Sequence, residues 1–313
     1  MIKNLVIAGG GVKIIPVLGV LQYLEENDLL KNITGYYGAS AGTIFCLLLL
    51  LNYSVSDIRK LILDFDMNKL FEPNIDIDNF LTNYHVYDQK KLEKVLKLLI
   101  NYKLGYDIET KIISNKYENI TLKEIYEKTG KKFTCSVTSL KWRVVKYFDY
   151  VSQPDLPIYK IILMSCAIPF IFKPVKWQGD LFIDGGLLDN FPMFIIPVSE
   201  IKMTLGIRPL IYLKKQKAKF DNIYDFITSI LSIVTCSTNE TYSYNVIRVK
   251  IDGKYSGQFV ELNMTRDEKN EMINESYNST KKQYKNLNIV KYKNSSTQTD
   301  ILSNSKLKRS NSF

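Results

Sequence analysis

Hydrophobic and polar positions change period several times along the first fifty residues. Asn4 to Ala8 is a short apolar-rich run that ends in Gly9-Gly10-Gly11, and it reads as a strand entering a glycine loop. From Ile14 to Leu30 the spacing lengthens. Val17, Leu18, Leu21 and Leu24 recur at helical intervals, with Gln22, Glu25 and Glu26 opposite them, which predicts a helix. Pro16 sits near its start, where a missing N–H costs little. Ile33 to Tyr37 predicts a second strand that runs directly into Gly38-Ala39-Ser40-Ala41-Gly42, and Thr43 to Leu51 predicts a buried helix. Strand, glycine loop, helix, strand, sharp turn, helix is the opening of an α/β fold, an open and mostly parallel central sheet flanked by helices.

Val55 to Asn101 is expected to be mostly helical, with Lys90 to Ile100 the clearest periodic stretch. Thr121-Leu122-Lys123-Glu124 has the form of a capping box leading into a helix that ends near Gly130. Lys132 to Thr138 and Arg143 to Phe148 predict strands, Pro154 to Pro157 a turn and Ile158 to Cys166 a short helix. Leu181 to Ile183 predicts a strand that stops at Asp184-Gly185-Gly186. The expected organisation is a main domain over 1–215, a helical and β extension packed on it over 216–285, and a polar basic tail over 286–313. That tail is rich in Asn, Ser, Thr and Lys and buries too little apolar area to offset ordering entropy, so it is expected to be disordered. No internal repeat is evident.

Composition narrows the picture. The chain has 313 residues, of which 46% are apolar, enough for one large domain or two smaller ones. Its formal charge is +10 and its pI about 9.1. That balance favours anionic surfaces, whether phospholipid headgroups or nucleic acid, although a plainly basic soluble protein has it too. Lysine dominates the basic set, and no arginine-rich or aromatic-interleaved array marks a nucleic-acid partner. Cys46, Cys135, Cys166 and Cys236 are far apart with no CxxC pair, which reads as reduced thiols in a reducing compartment. A zinc site is not expected, since only His85 could join them. No signal peptide is evident. Ile44 to Leu51 and Ile223 to Cys236 both fall short of a membrane span, and the second contains Asp225. A cytoplasmic protein, or one peripheral to a membrane, is the expectation. Lys214 to Lys219 reads as a solvated basic surface, and Ile223 to Val234 as core or as an interfacial stretch.

Candidate chemistry begins at Ser40. In a nucleophile elbow a strand reverses into a helix with the serine at the tip, and glycines two residues away on either side, here Gly38 and Gly42, remove Cβ atoms that would collide. The elbow also puts the serine at a helix N-terminus, which favours developing negative charge. The bland alternative is a small-residue turn. Gly9-Gly10-Gly11 before Val12 and Lys13 is suited to presenting backbone N–H groups to an oxyanion. A dinucleotide fingerprint fails at Ile14, and no Gly-Lys-Ser/Thr follows to make a P-loop. Asp184-Gly185-Gly186 stands at the C-terminal end of a strand, where open α/β sheets gather their reacting groups, although an Asp-Gly turn alone is common. The chain has one histidine, His85. A late histidine base of the α/β-hydrolase order would follow Asp184, and none does.

Taken together, Gly9 to Lys13, Gly38 to Gly42 and Asp184 to Gly186 resemble the corresponding elements of the patatin-like phospholipases. Thr121 to Gly130, Asp155-Leu156-Pro157 and Ser165 to Phe170 are similar to stretches of that family as well, and the resemblance covers residues 2 to 200. It implies a three-layer fold and a Ser–Asp dyad, with Ser40 as nucleophile and Asp184 as proton acceptor. It also implies an oxyanion hole from Gly9, Gly10 and Gly11, with Lys13, Gly38, Gly42, Gly185 and Gly186 supporting these motifs. Neither metal nor cofactor is implied. The implied reaction releases fatty acids from phospholipid or other lipid esters through an acyl-serine, at a peripheral membrane surface. Lys13 is expected either to face an anionic headgroup or to stand as an ordinary surface lysine. Two departures are visible. Ile14 stands where the family often has a small residue, and Asn190-Phe191-Pro192 stands where it often has Asn-Asn-Pro. A soluble carboxylesterase or thioesterase, and a catalytically inactive membrane-associated scaffold on the same fold, are the alternatives. The acyl position, headgroup and oligomeric state stay open.

Overall fold

The computed structural model describes residues 1–64, 85–211, 226, 229–231, 233–234, 245–251 and 264–287. Its strands are β1 (Asn4–Ile7), β2 (Gly35–Gly38), β3 (His85–Tyr87), β4 (Lys132–Ser139), β5 (Val144–Phe148), β6 (Phe170–Phe172), β7 (Val175–Trp177), β8 (Asp180–Asp184), β9 (Thr204–Ile211) and β10 (Val246–Ile251). The helices used below are α1 (Val17–Glu26), α2 (Ala41–Leu50), α3 (Val55–Asp64), α4 (Lys90–Leu104), α5 (Leu122–Thr129), α6 (Ile158–Ser165) and α7 (Arg266–Tyr284).

The main sheet runs β10-β9-β1-β2-β4-β8-β7, with β5 also paired to β4. From β10 to β4 every pairing is parallel, and β5, β8 and β7 add antiparallel pairings at the far side. The sheet is therefore open, mixed and mostly parallel. The apolar run of β1 explains its central place. Leu5 and Ile7 belong to one buried cluster and Val6 and Ala8 to another, because successive strand side chains point to opposite faces. The larger cluster joins Leu5 and Ile7 to apolar side chains of α1, α2, α5 and α6, while Phe191, Met193 and Ile196 cover Val6 and Ala8 on the other face. From β1 through α1 to β2, and from β2 through α2 toward β4, the chain moves the same way along the sheet. Right-handed crossovers then place both helices on one face.

Two expectations change. The helix expected from Ile14 to Leu30 is split: Gly11–Ile14 forms a short 3₁₀ turn, and α1 begins only at Val17, with Pro16 as its N-cap. Pro16 disfavours helical geometry at the residue before it. At the other end α1 stops at Glu26, and Asp28 adopts a left-handed φ of 58°. The stretch from 55 to 101, expected to be mostly helical, contains α3 and α4 but also β3, which pairs parallel to β6 as a separate small sheet. Local periodicity carries no sign of that distant partner.

β9 and β10 lie beyond the elements that periodicity marks, yet they continue the sheet on the free side of β1. α7 lies against α1, and Gly19 permits the approach, since a Cβ there would fall 2.1 Å from the Ile273 carbonyl oxygen. Thr265 and Glu268 close a capping box at the start of α7, as Thr121 and Glu124 do at the start of α5. Lys214 to Lys219, Cys236, the residues after Leu287 and much of Ile223 to Val234 lie outside the described residues. Among the described residues, no helix is long and apolar enough to cross a membrane.

Candidate active site

Three segments meet at the C-terminal edge of the parallel strands: the glycine loop after β1, the elbow after β2, and the end of β8. Parallel pairing sets Ile7 beside Gly38, so loop and elbow leave the sheet side by side. Ser40 caps α2 with φ 48° and ψ −134°, a conformation that side chains rarely adopt. Gly42 makes the reversal possible. A Cβ at that position would lie 2.3 Å from the Ile7 carbonyl oxygen and 2.7 Å from that of Ala8. Two further bonds hold the bend: the Thr43 hydroxyl donates to the Ser40 carbonyl at 2.6 Å, and the Ser40 N–H donates to Ser165 Oγ at 2.9 Å. Ser165 in turn donates to the Ser136 carbonyl at 2.8 Å, which ties the elbow through α6 to β4.

Asp184 arrives on β8, which pairs antiparallel to β4 with Asp184 opposite Val137. Its backbone is fixed on both sides. The Asp184 N–H donates to the Ala167 carbonyl at 2.9 Å, and the Thr138 hydroxyl donates to the Asp184 carbonyl at 2.9 Å. The Ser40 hydroxyl donates to Asp184 Oδ2 at 2.6 Å, and the Gly186 N–H donates to Oδ1 at 2.7 Å. Both side chains are buried, Ser40 at 6% and Asp184 at 4% exposure. Burial pushes the Asp184 carboxyl up from 3.8 to about 7, against the opposing pull of the bonds from Ser40 and Gly186. The neighbouring Cys166 thiol is also raised, first by burial and then by the Asp184 charge. A short serine–carboxylate bond, with the carboxyl poised near neutrality, is equipped to move a proton off the hydroxyl.

The glycine loop differs in part from the expected donor set. The Gly9 N–H is engaged with the Asn190 carbonyl at 3.2 Å, and the Asn190 amide donates back to the Gly9 carbonyl at 3.3 Å. Of the expected oxyanion donors, Gly10 and Gly11 are the ones whose N–H groups have no acceptor among the described residues. Gly11 has φ 55°. Lys13 is a correction. It was expected to face a headgroup or solvent, but it is enclosed at 1% exposure. The 3₁₀ turn that carries it packs on α2 and folds its side chain inward. Of the other motif glycines, Gly38 lies against the backbone of Thr43, Gly185 against the Ser136 carbonyl, and the Gly186 N–H on the Asp184 carboxylate.

His85 lies on β3 and is buried. No hydrogen bond of Ser40 or Asp184 reaches it. Cys46, Cys135 and Cys166 are free and buried. Among the described residues no cluster of three or more His, Cys, Asp or Glu side chains is placed to hold a metal ion.

Sequence reasoning missed Ser165, Ser136 and the part played by Asn190. Ser165 falls within a stretch similar to the resembled family, and Asn190 opens one of the two departures from it, but nothing local distinguishes a hydroxyl that holds the elbow from any buried serine.

Comparison with known proteins agrees with this architecture. A family model described as patatin-like phospholipase matches residues 5–196. Uncharacterized protein R571 of Acanthamoeba polyphaga mimivirus is 27% identical over 237 residues, covering 73% of this chain and 74% of that protein. Probable lipid hydrolase 463L of Invertebrate iridescent virus 6 is 28% identical over 254 residues, covering 79% and 77%. Among solved structures, VipD from Legionella pneumophila matches with a TM-score of 0.56 at 18% identity, covering 91% of this chain and 67% of that one. The type III effector ExoU of Pseudomonas aeruginosa matches at 0.52 and 16%, covering 91% of this chain and 53% of ExoU. These structural likenesses concern the fold.

Proposed function

Because the chain belongs to the patatin-like phospholipase family, we propose that it hydrolyses lipid carboxylic esters, with Ser40 as nucleophile and Asp184 as its base. One observation carries the reading: the buried 2.6 Å hydrogen bond from the Ser40 hydroxyl to Asp184 Oδ2. As Ser40 Oγ attacks the ester carbonyl, its proton passes to Asp184. The N–H groups of Gly10 and Gly11 receive the oxyanion, beside the N-terminus of α2. Each such donor is worth about 3 kcal/mol of transition-state stabilisation. The tetrahedral intermediate collapses, Asp184 returns the proton to the departing alcohol, and an acyl-serine remains. A water deprotonated by the same carboxylate then attacks the acyl carbonyl, and as the fatty acid leaves, Asp184 returns that proton to Ser40 Oγ. A carboxyl near 7 suits both directions of this transfer, because it accepts and gives up a proton at neutral pH.

The family and relatives named for lipid hydrolysis support a lipid ester as the substrate class. Those relatives include the iridescent virus protein and a Schizosaccharomyces pombe protein named triacylglycerol lipase ptl3, which is 27% identical over 190 residues, covering 56% of this chain and 35% of that protein. Mass-spectrometric product analysis with a defined phospholipid, a triacylglycerol and a short soluble ester tests the reading. The wild-type chain should release fatty acid from a lipid substrate and react with a fluorophosphonate probe. Ser40→Ala should lose both by at least about 10⁴-fold. Probe labelling that survives Ser40→Ala would place the nucleophile elsewhere.

A further inference from the structure

The turn between β4 and β5 projects a tryptophan into solvent. Trp142 is 62% exposed, and Leu140, Val144 and Leu181 around it are each more than two-fifths exposed. Leu181 belongs to this patch because the Leu140 N–H donates to its carbonyl at 2.9 Å. The turn itself is firmly held. The Ser139 hydroxyl donates to Asp180 Oδ2 at 2.6 Å, the Lys141 N–H donates to Asp180 Oδ1 at 3.1 Å, and the Trp142 N–H donates to Ser139 Oγ at 3.0 Å. The Arg143 N–H closes the turn on the Ser139 carbonyl at 2.9 Å. Burial alone would raise the Asp180 carboxyl, but these bonds and the Lys146 ammonium outweigh it and hold the group below the usual carboxylate range.

From Leu140 to Tyr147 the chain carries Lys141, Arg143 and Lys146 and no acid. The nearby carboxylate of Asp180 is buried and engaged with the turn and with Lys146 at 3.6 Å. What solvent meets is an indole among cations, with Lys141 Nζ 5.6 Å and Lys146 Nζ 5.9 Å from its ring. Position gives this patch a purpose. Asp184 lies opposite Val137, and β4 continues toward the turn. At a strand rise of about 3.3 Å per residue the tip stands roughly 10 Å past the carboxylate, on the strand ends where Ser40 and the glycine loop also lie.

We propose that this hairpin tip, with Leu140, Trp142, Val144 and Leu181 as an apolar wedge and Lys141 and Arg143 beside it, docks the protein on an anionic phospholipid bilayer. Tryptophan favours the headgroup level, with its ring in apolar surroundings and its N–H wet, and lysine and arginine are drawn to anionic lipid. The inference rests on the reading of the chain as a lipid hydrolase and names the surface that hydrolase addresses.

The test is co-sedimentation of the full chain with vesicles of phosphatidylcholine, alone and mixed with phosphatidylserine. The wild type and Ser40→Ala should bind the mixed vesicles equally, and both should bind them more tightly than phosphatidylcholine alone. Trp142→Ala, and separately the pair Lys141→Glu and Arg143→Glu, should each weaken binding about tenfold. Turnover of a short soluble ester should be unchanged in both. If Trp142→Ala loses its circular-dichroism spectrum, the charge-reversal pair carries the test. Full binding by the pair and by a folded Trp142→Ala overturns the proposal, as does wild-type binding that is absent or indifferent to phosphatidylserine. A chain that binds through the hairpin but cleaves no ester would refute the hydrolase reading alone.

Discussion

Asp184→Asn should abolish turnover and at the same time stabilise the fold at neutral pH. The carboxyl rises from 3.8 to about 7 because burial disfavours its charge. Between those values the unfolded chain has lost the proton while the folded chain still holds it. The folded state binds more protons there, so stability falls as pH climbs through this window, and the fall is complete once pH exceeds about 7. At 1.36 kcal/mol for each tenfold, the full climb amounts to about 4 kcal/mol, a large part of the roughly 5–15 kcal/mol that holds a domain folded. Asparagine carries no charge and escapes this slope. Urea denaturation of both proteins at about pH 5 and about pH 8 isolates the effect, because every other group titrates alike in the two and cancels in the difference. The variant's stability relative to wild type should grow by about 3 kcal/mol between those conditions. Over the same range wild-type kcat/KM should rise about tenfold per pH unit and level off above about 7. A stability difference that stays flat or reverses, or turnover that persists undiminished at about pH 5, would refute the reasoning.

Ser165→Ala removes the acceptor of the Ser40 N–H and the donor to the Ser136 carbonyl. The expected result is a loss of about 1–3 kcal/mol in urea denaturation and a fall in kcat with little change in KM, since the hydroxyl positions Ser40 without touching substrate. Gly42→Ala drives a methyl group into two backbone carbonyls, neither of which can rotate away. Expression should yield aggregated protein, and soluble, stable material would contradict the packing of the elbow. His85→Ala, normalised to folded protein, should leave kcat/KM within about twofold. A collapse in that measurement would restore a histidine base.

Much of the candidate site was legible because its signals are local. The β1-loop-α1-β2-elbow-α2 succession follows from hydrophobic spacing and from small residues at the bends, and Ser40 and Asp184 stand out at the ends of short apolar strands. Features that depend on distant partners were not legible. His85-Val86-Tyr87 becomes a strand only because Phe170–Phe172 lies beside it, and the Gly9 N–H is engaged only because Asn190 arrives there from 181 positions away. The burial of Lys13 runs against the ordinary tendency of lysine to lie at the surface. The shortened α1 could have been foreseen, because Pro16 restricts the residue before it.

The hydroxyl and the carboxyl that meet at 2.6 Å are 144 positions apart in the chain. A ribosome adding about 5–20 residues each second therefore exposes Ser40 on the order of ten seconds before Asp184 is made. On the proposed mechanism, the growing polypeptide carries in that interval an alcohol of ordinary reactivity. It gains its power over lipids only when β8 is synthesised and lies down against β4. If that mechanism holds, a chain that ends before β8 should show no lipid hydrolysis, because the carboxyl that would activate Ser40 is still missing.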